Sequence, residues 1–374
     1  MPDGGALDLR LVEPAAAGLD PVSTALGVHT PVETQTRWFA GRVGGSPRPG
    51  WADGSQGAWW SEETVWRTGE AWWWPQTGAV CDLQGRVFRP TLGPPRPTTP
   101  GIGRLKGVSR GGRFRPPART GRLGGATVFM TSGGRFNYGH FVLDSLTALL
   151  LSEEAGLLDA LPPAAPPLRT WHRDLIRLAL PGRTVREVEA PVVHLAEAAF
   201  ASPMDHFLHH PNRVLQRLQG RILANAPPPE GPKRLYLSRR GWGMRVMVDE
   251  PALEAALAKR GFAIVQPERL PVERQIALMR GAEVVIAPSG AALANTLFCP
   301  PKTRVIEIQP DTFHSQWVRA LRQITGGEWA GWFTPAPIDP RQAPRLARMR
   351  REFRFAYRTD VEAFLTFVKA QTGA

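Results

Sequence analysis

Between residues 233 and 310 short apolar runs and helical patterns alternate with connections of only a few residues, and no other feature restricts the fold as much. Leu235–Ser238, Ala263–Gln266, Glu283–Ala287 and Arg304–Ile308 read as strands, Pro251–Lys259 and Val272–Gly281 as helices, with a short helix near Ala291–Phe298. Strands that must be buried on both faces, joined by helices, call for a parallel sheet with right-handed crossovers, so the expected class is α/β. Upstream, Ala226–Pro232 carries four prolines in seven residues and reads as a domain boundary. Before it, Ala126–Met130 reads as a strand, Thr131–Arg135 as a glycine turn and Phe136–Glu154 as a helix. A Pro-rich break at Leu161–Pro167 follows, then Arg169–Leu180, a strand-like Thr184–Val188 and a helix near Asn212–Ala224.

The first 125 residues are different. Eight tryptophans fall between Trp38 and Trp74, among Gly and Pro, with β-like pieces at Thr64–Trp66, Val80–Asp82 and Arg86–Arg89. Rings this dense either cover a small core or stack on sugar faces; the core is the expectation, because Trp contributes large apolar area wherever it lands. Thr91–Arg119 reads as a loop. The expected division is therefore 1–125, a β-containing segment packed on the first lobe, then 126–227 and 228–374, the last ending in a helix.

With 43% hydrophobic residues in 374, the chain can fill real cores, which excludes a disordered tail. Two cysteines, Cys81 and Cys299, exclude a disulfide framework and point to a reducing compartment. The start has neither a basic nor an apolar leader region, and no apolar run approaches the roughly 20 residues of a span, so a cytoplasmic protein is expected, at most peripheral at a membrane. The net charge is +13, and only five of the 46 basic residues are lysines. Arginine's planar fork suits phosphate and carboxylate, so anionic partners are expected: nucleotides, lipid phosphates, nucleic acid or an acidic membrane surface. Arg-favouring codon usage would leave the same signature.

Three sets of residues could carry chemistry. On the helix Phe136–Glu154, at about 100° per residue, Asn137, His140 and Asp144 share one stripe while the leucines take the opposite face. A histidine beside a carboxylate is what general-base work at neutral pH requires, although a capped, solvated helix face gives the same pattern. Second, Arg239, Arg240 and Arg245 follow the first strand of the alternating region, where open α/β sheets bind ligands. Third, the turn Ser289, Gly290 and Ala291, running on to Asn295, lets backbone amides approach phosphate oxygens, and Glu307 could accept from ribose hydroxyls. An exposed basic loop, an ordinary βα turn and a strand-end salt bridge are the plainer alternatives. His206, His209 and His210 invite a metal reading that no further carboxylate or thiolate pattern supports, so no metal site is expected. Gly101 and Gly103 lack the preceding strand of a dinucleotide fingerprint.

At these residues the chain resembles the bacterial branch of glycosyltransferase family 61, the capsular or exopolysaccharide type. Two blocks carry the likeness: N-x-x-H-x-x-x-D, here Asn137, His140 and Asp144, and a long block from about 233 to 310 that opens on Ser238, Arg239 and Arg240. The resemblance implies an inverting GT-B transferase of two Rossmann-like lobes, with residues 126–227 as the acceptor side and 228–374 as the nucleotide-sugar side. It implies that Arg239, Arg240, Arg245 and the turn from Ser289 to Asn295 hold the diphosphate of a donor, usually a UDP-sugar. His140 and Asp144 would face them across a cleft to deprotonate a hydroxyl of a glycan or lipid-linked glycan acceptor. No obligate cofactor is implied beyond the nucleotide-sugar co-substrate, divalent-metal dependence is left open, and nucleic acid is not an expected partner. Two positions depart from the family pattern: Ser289 stands where a histidine is usual, and Asp249-Glu250 replaces N-E. A non-catalytic sugar-nucleotide or glycan-binding relative, and a basic nucleic-acid-binding protein, are the rival readings.

Overall fold

Apolar runs and helices of the kind read above assemble here into a mixed α/β protein. The computed structural model describes residues 6–25, 42–46, 63–92, 105–109, 112–202, 213–311, 317–335 and 355–373. The chain divides into two units, Met1–Val28 with Trp60–Asn225 and His29–Trp59 with Ala226–Ala374.

In the first unit, Ala126–Val128 pairs in parallel with Pro163–Ala165 on one side and Ala198–Ala201 on the other, and Arg186–Glu187 lies beyond Pro163–Ala165. Numbered along the chain from Ala126–Val128, the order is third, second, first, fourth, the order of a classic doubly wound sheet. Glu63–Thr68 and Pro21–Ala25 then add antiparallel strands. The stretch Leu161–Pro167, expected as a break, contributes a strand because Pro163 stands at its first position, where a missing N–H is tolerated. A second six-stranded sheet contains Ala71–Trp73, Val80–Asp82, Arg86–Phe88 and Val192–Leu195. Between its strands and Arg113–Phe114 lies an aromatic core: Trp72 and Trp74 meet the fully buried Phe114 edge-on at 5.4 and 4.9 Å. The described tryptophans of the Trp-rich segment, Trp66, Trp72, Trp73 and Trp74, are all buried, so they build core. Phe114 also shows that Thr91–Arg119 is not loop throughout, since Arg113–Phe114 pairs with Leu7–Asp8.

The second unit is a six-stranded, wholly parallel sheet in the order Ala263–Val265, Arg234–Leu237, Val284–Pro288, Arg304–Pro310, Glu328–Thr334, Val43–Gly45. Its first five strands follow the order second, first, third, fourth, fifth, the flavodoxin-like form of the doubly wound sheet. Glu250–Ala258, Val272–Gly281 and Trp317–Ile324 are helical crossovers, and Ala291–Phe298 is a tighter 3-10 helix. Val361–Thr372 packs Phe364 and Phe367 on Trp332. Val43–Gly45 corrects one expectation: part of the N-terminal 125 residues extends the second unit's sheet rather than covering the first. Gly44 suits that edge, because a Cβ there would sit 2.7 Å from the Phe367 ring.

Candidate functional site

Each sheet reverses its strand order beside its first strand, and the chemistry-bearing residues lie at those two points. In the first unit, Ala126–Val128 runs into Thr131, Ser132, Gly133 and Gly134. The Thr131 hydroxyl accepts from the Gly134 N–H at 3.0 Å, closing the turn. His172, 1% exposed, braces it: its Nδ1 accepts from the Arg169 N–H at 2.9 Å, so Nε2 carries the proton and donates to the Gly134 carbonyl at 3.0 Å. Burial pushes the His172 imidazole down to about 4, with Arg169, Arg173 and Arg135 adding repulsion against the Gly134 bond.

Asn137 then caps the helix: its Oδ1 accepts from the backbone N–H of His140 at 3.2 Å. The helix is not uniform. Tyr138–His140 is α-helical, Phe141–Ser145 is a π-turn, and Leu146–Glu154 resumes the α-helix. The hydroxyl of Thr147 donates to the carbonyls of Leu143 and Asp144, both at 2.8 Å, within and beside the widened turn. The expected polar stripe therefore ends early: Leu146–Ser152 is buried on every side, and Asp144 itself is only 2% exposed. Asp144 Oδ2 lies 2.9 Å from His140 Nδ1. A carboxylate can only accept, so Nδ1 carries the proton and Nε2 keeps its lone pair. The His140 ring rests against Gly133, where an added Cβ would meet Cγ at 2.8 Å. Of the residues singled out in the sequence, Asp144 holds the His140 imidazole and Asn137 its backbone, and the ring is partly open to solvent.

In the second unit the reversal lies between Arg234–Leu237 and Val284–Pro288. Arg239 spans it, donating from Nη1 to the Ser289 carbonyl at 2.6 Å and from Nη2 to the Met244 carbonyl at 3.1 Å. Gly290 makes room, since a Cβ there would fall 1.6 Å from Arg239 Nη1. Burial lowers the Arg239 guanidinium from its ordinary value and holds Arg245 down to about 10. Arg245 is the single non-glycine residue with positive φ among those described, at 49°. Arg240 is the exposed member of the trio, 3.4 Å from Glu254. It borders a groove of about 510 Å³ that is also lined by Ser238, Gln266, Arg269, Arg274 and Leu278.

Two carboxylates to which the sequence reading gave no role, Glu250 and Glu254, fix this loop from one helix. Glu250 Oε1 accepts from the Arg239 N–H at 2.7 Å and from the Tyr236 hydroxyl at 3.1 Å, while Glu254, four residues on, takes Arg240. Their spacing of four is the signal that was available, since it puts both on one helix face. Other expected contacts fall inside the protein. Ser289 is 2% exposed, Ala291 is partly exposed, and Asn295 is enclosed, donating to the Gln275 carbonyl at 2.9 Å. Glu307 is no rim residue: Arg304–Pro310 is followed by Glu328–Thr334, and the buried carboxyl accepts from Trp329 Nε1 at 3.0 Å. Burial raises its pKa, opposed by the Trp329 hydrogen bond and by the charge of Arg245. Arg319, on Trp317–Ile324, is a further buried cation, lowered to about 10 by burial with Glu307 opposing. His206, His209, His210, Gly101 and Gly103 lie outside the described residues.

A family model described as Glycosyltransferase 61 matches residues 138–306. The match begins one residue after Asn137 and takes in His140, Asp144, the three arginines and the turn to Asn295, ending just before Glu307. No curated protein matches the chain. Among the described residues no helix is long and apolar enough to cross a membrane.

Proposed function

We propose that this chain is an inverting glycosyltransferase of family 61, its two units serving as the lobes of a GT-B-type enzyme. The observation that carries the reading is the His140–Asp144 pair at 2.9 Å, held at a switch point and inside the residues that match the family model. In this reading Asp144 orients the imidazole and steadies its charged form, and His140 Nε2 takes the proton of an acceptor hydroxyl. The acceptor oxygen forms its bond to the anomeric carbon as the bond to the donor's diphosphate breaks. The electron pair leaves with the diphosphate, and the single in-line step inverts the centre. Arg240, with the backbone of the turn at Gly290, would receive the leaving charge, while Arg239 shapes the turn from behind. The donor is a nucleoside-diphosphate sugar, a UDP-sugar by family resemblance, and the acceptor a glycan of surface-polysaccharide synthesis.

A thermal-shift screen of UDP, GDP, CDP and TDP, with and without Mn²⁺, tests the donor half. One diphosphate at 100 times its Kd should stabilise the protein by roughly 2.7 kcal/mol, and Arg240→Ala should lose that shift. No response to any of the four would overturn the reading. A second reading, donor binding without turnover, draws on two observations. Both Nη groups of Arg239 already serve backbone carbonyls, and Ser289, where a histidine is usual, cannot carry charge. Nucleotide stabilisation without sugar transfer to any acceptor would favour it.

A further inference from the structure

Beside the dyad lies a feature the transfer step does not use. Phe136, immediately before the cap residue Asn137, is 62% exposed; Val22 is the other exposed large hydrophobic side chain among the described residues of its unit. Two guanidinium groups attend its ring, Arg135 at 4.6 Å and Arg169 at 5.5 Å from the centroid. Neither makes a salt bridge among the described residues, whereas Arg173 on the next helix is taken by Glu187 at 2.6 Å. Arg135 donates to the Gln76 carbonyl at 3.3 Å. Burial and the charge of Arg169 both lower its pKa, so two like charges share one ring with no described carboxylate to compensate them. Each guanidinium is attracted to the ring, and together they give the exposed ring a positive rim toward which an anion is drawn.

We infer that the surface formed by Phe136, Arg135 and Arg169 binds the acceptor, and that the acceptor sugar carries an acidic group, a carboxylate or a phosphate. The inference rests on the transferase reading above. The ring offers a flat apolar face to the C–H face of a pyranose, and the arginine forks match the two oxygens of an acid. A neutral sugar would use the ring and leave both cations uncompensated. Phe136 is followed directly by Asn137, whose side chain accepts from the His140 N–H, so the patch and the base lie on one turn of the chain.

Binding of four probes to the full chain tests this by calorimetry and ligand-observed NMR: methyl glucuronide, methyl glucoside, glucose 6-phosphate and inorganic phosphate. At least one acidic sugar should bind about tenfold or more tighter than methyl glucoside, the advantage a charge-assisted hydrogen bond gives. Whether that is the glucuronide or the 6-phosphate names the acid. Arg169→Glu should abolish the advantage, Arg221→Glu, an exposed arginine elsewhere in the same unit, should keep it, and Phe136→Ala should weaken acidic and neutral sugars alike. Equal binding of acidic and neutral sugars, equal losses in the two arginine variants, or inorganic phosphate binding as well as the sugar phosphate would overturn the inference. UDP stabilisation, read on the same samples, separates the two failures. Nucleotide binding without an acid preference sinks only this inference, whereas an acid preference without nucleotide binding sinks the transferase reading and the acceptor role with it, leaving an acidic-sugar site.

Discussion

The two units place their chemistry by the same rule and equip it in opposite ways. Both are doubly wound sheets, and in both the residues of interest leave the carboxyl end of the first strand at the point where strand order reverses. The first unit sets an imidazole there and arranges around it a helix cap, a glycine turn and one buried carboxylate. The second sets guanidinium groups there and restrains them with carboxylates from behind and carbonyls across the turn. On the proposed reading a proton acceptor must keep a lone pair, so its neighbours fix a tautomer, and an anion site must keep charge, so its neighbours fix position. One topology supplies the location, and the side chains that follow each first strand differ.

The sharpest way to break this division is to remove each half separately. His140→Ala should lower sugar transfer by about 10²–10⁴-fold, the range for a lost general base, while leaving UDP stabilisation intact. Asp144→Asn should follow it, because an amide facing Nδ1 allows the other tautomer. Activity is read by mass spectrometry of the acceptor product and binding by calorimetry. If His140→Ala also lost nucleotide binding, the assignment of one chemistry to each unit would be wrong.

Next in size is a pH effect confined to the first unit. His172 is held near 4 when folded, against about 6.5 in an unfolded chain, so the unfolded state binds the extra proton between those values. Stability is therefore fully present above pH 6.5 and is lost as pH falls toward 4, by up to about 3 kcal/mol at the lower end. Protonation would also remove the acceptor that Nδ1 offers Arg169. Urea titrations at pH 7 and pH 4.5 on wild type and His172→Gln check it, since the variant should lose that part of the slope. An unchanged slope would mean the imidazole does not brace the turn.

Steric substitution at the two glycine turns gives a smaller, paired effect. Gly290→Ala should cost about 1–3 kcal/mol, because Arg239 must leave the place that Cβ would take, and it should weaken nucleotide binding. Gly133→Ala presses only on the His140 ring and should reduce transfer more than stability. Thermal unfolding and activity on both variants decide; matching profiles would remove the contrast.

What could be read in advance follows from how each element announces itself. The parallel strands of the second unit are buried on both faces, so they show as apolar runs, and the arginines after the first of them could be placed at once. Val43–Gly45 has almost no side chain to show, and Pro163–Ala165 looked like a break because proline usually ends a strand. His140 and Asp144 were legible as neighbours on a helix, but nothing in their spacing announces a π-turn, which depends on Thr147 supplying a local bond. Glu307 was read as a rim residue and Arg319 drew no notice for one reason: charge pattern reads as surface, and only tertiary packing shows a carboxyl and a guanidinium both enclosed. Arg322 is another case, its guanidinium spent on the carbonyls of Thr296, Pro300 and Thr303.

The smallest effect isolates what a helix cap does beyond stability. Asn137 caps the dyad helix in the first unit, and Asp360 caps Val361–Thr372 in the second, accepting from the Ala363 N–H at 3.0 Å. Replacing either with Ala removes one bond to an orphan helix N–H and should cost about 1 kcal/mol, read as a lower thermal midpoint. The two should part in activity. The N–H released by Asn137→Ala belongs to His140, so the ring loses its fixed approach to Asp144 and transfer should fall severalfold beyond any loss of folded protein. Asp360→Ala releases an N–H that serves only its own helix and should leave transfer per folded molecule unchanged. Equal activity losses would show that the cap at Asn137 acts through stability alone, and that His140 is positioned by Gly133 and Asp144 without it.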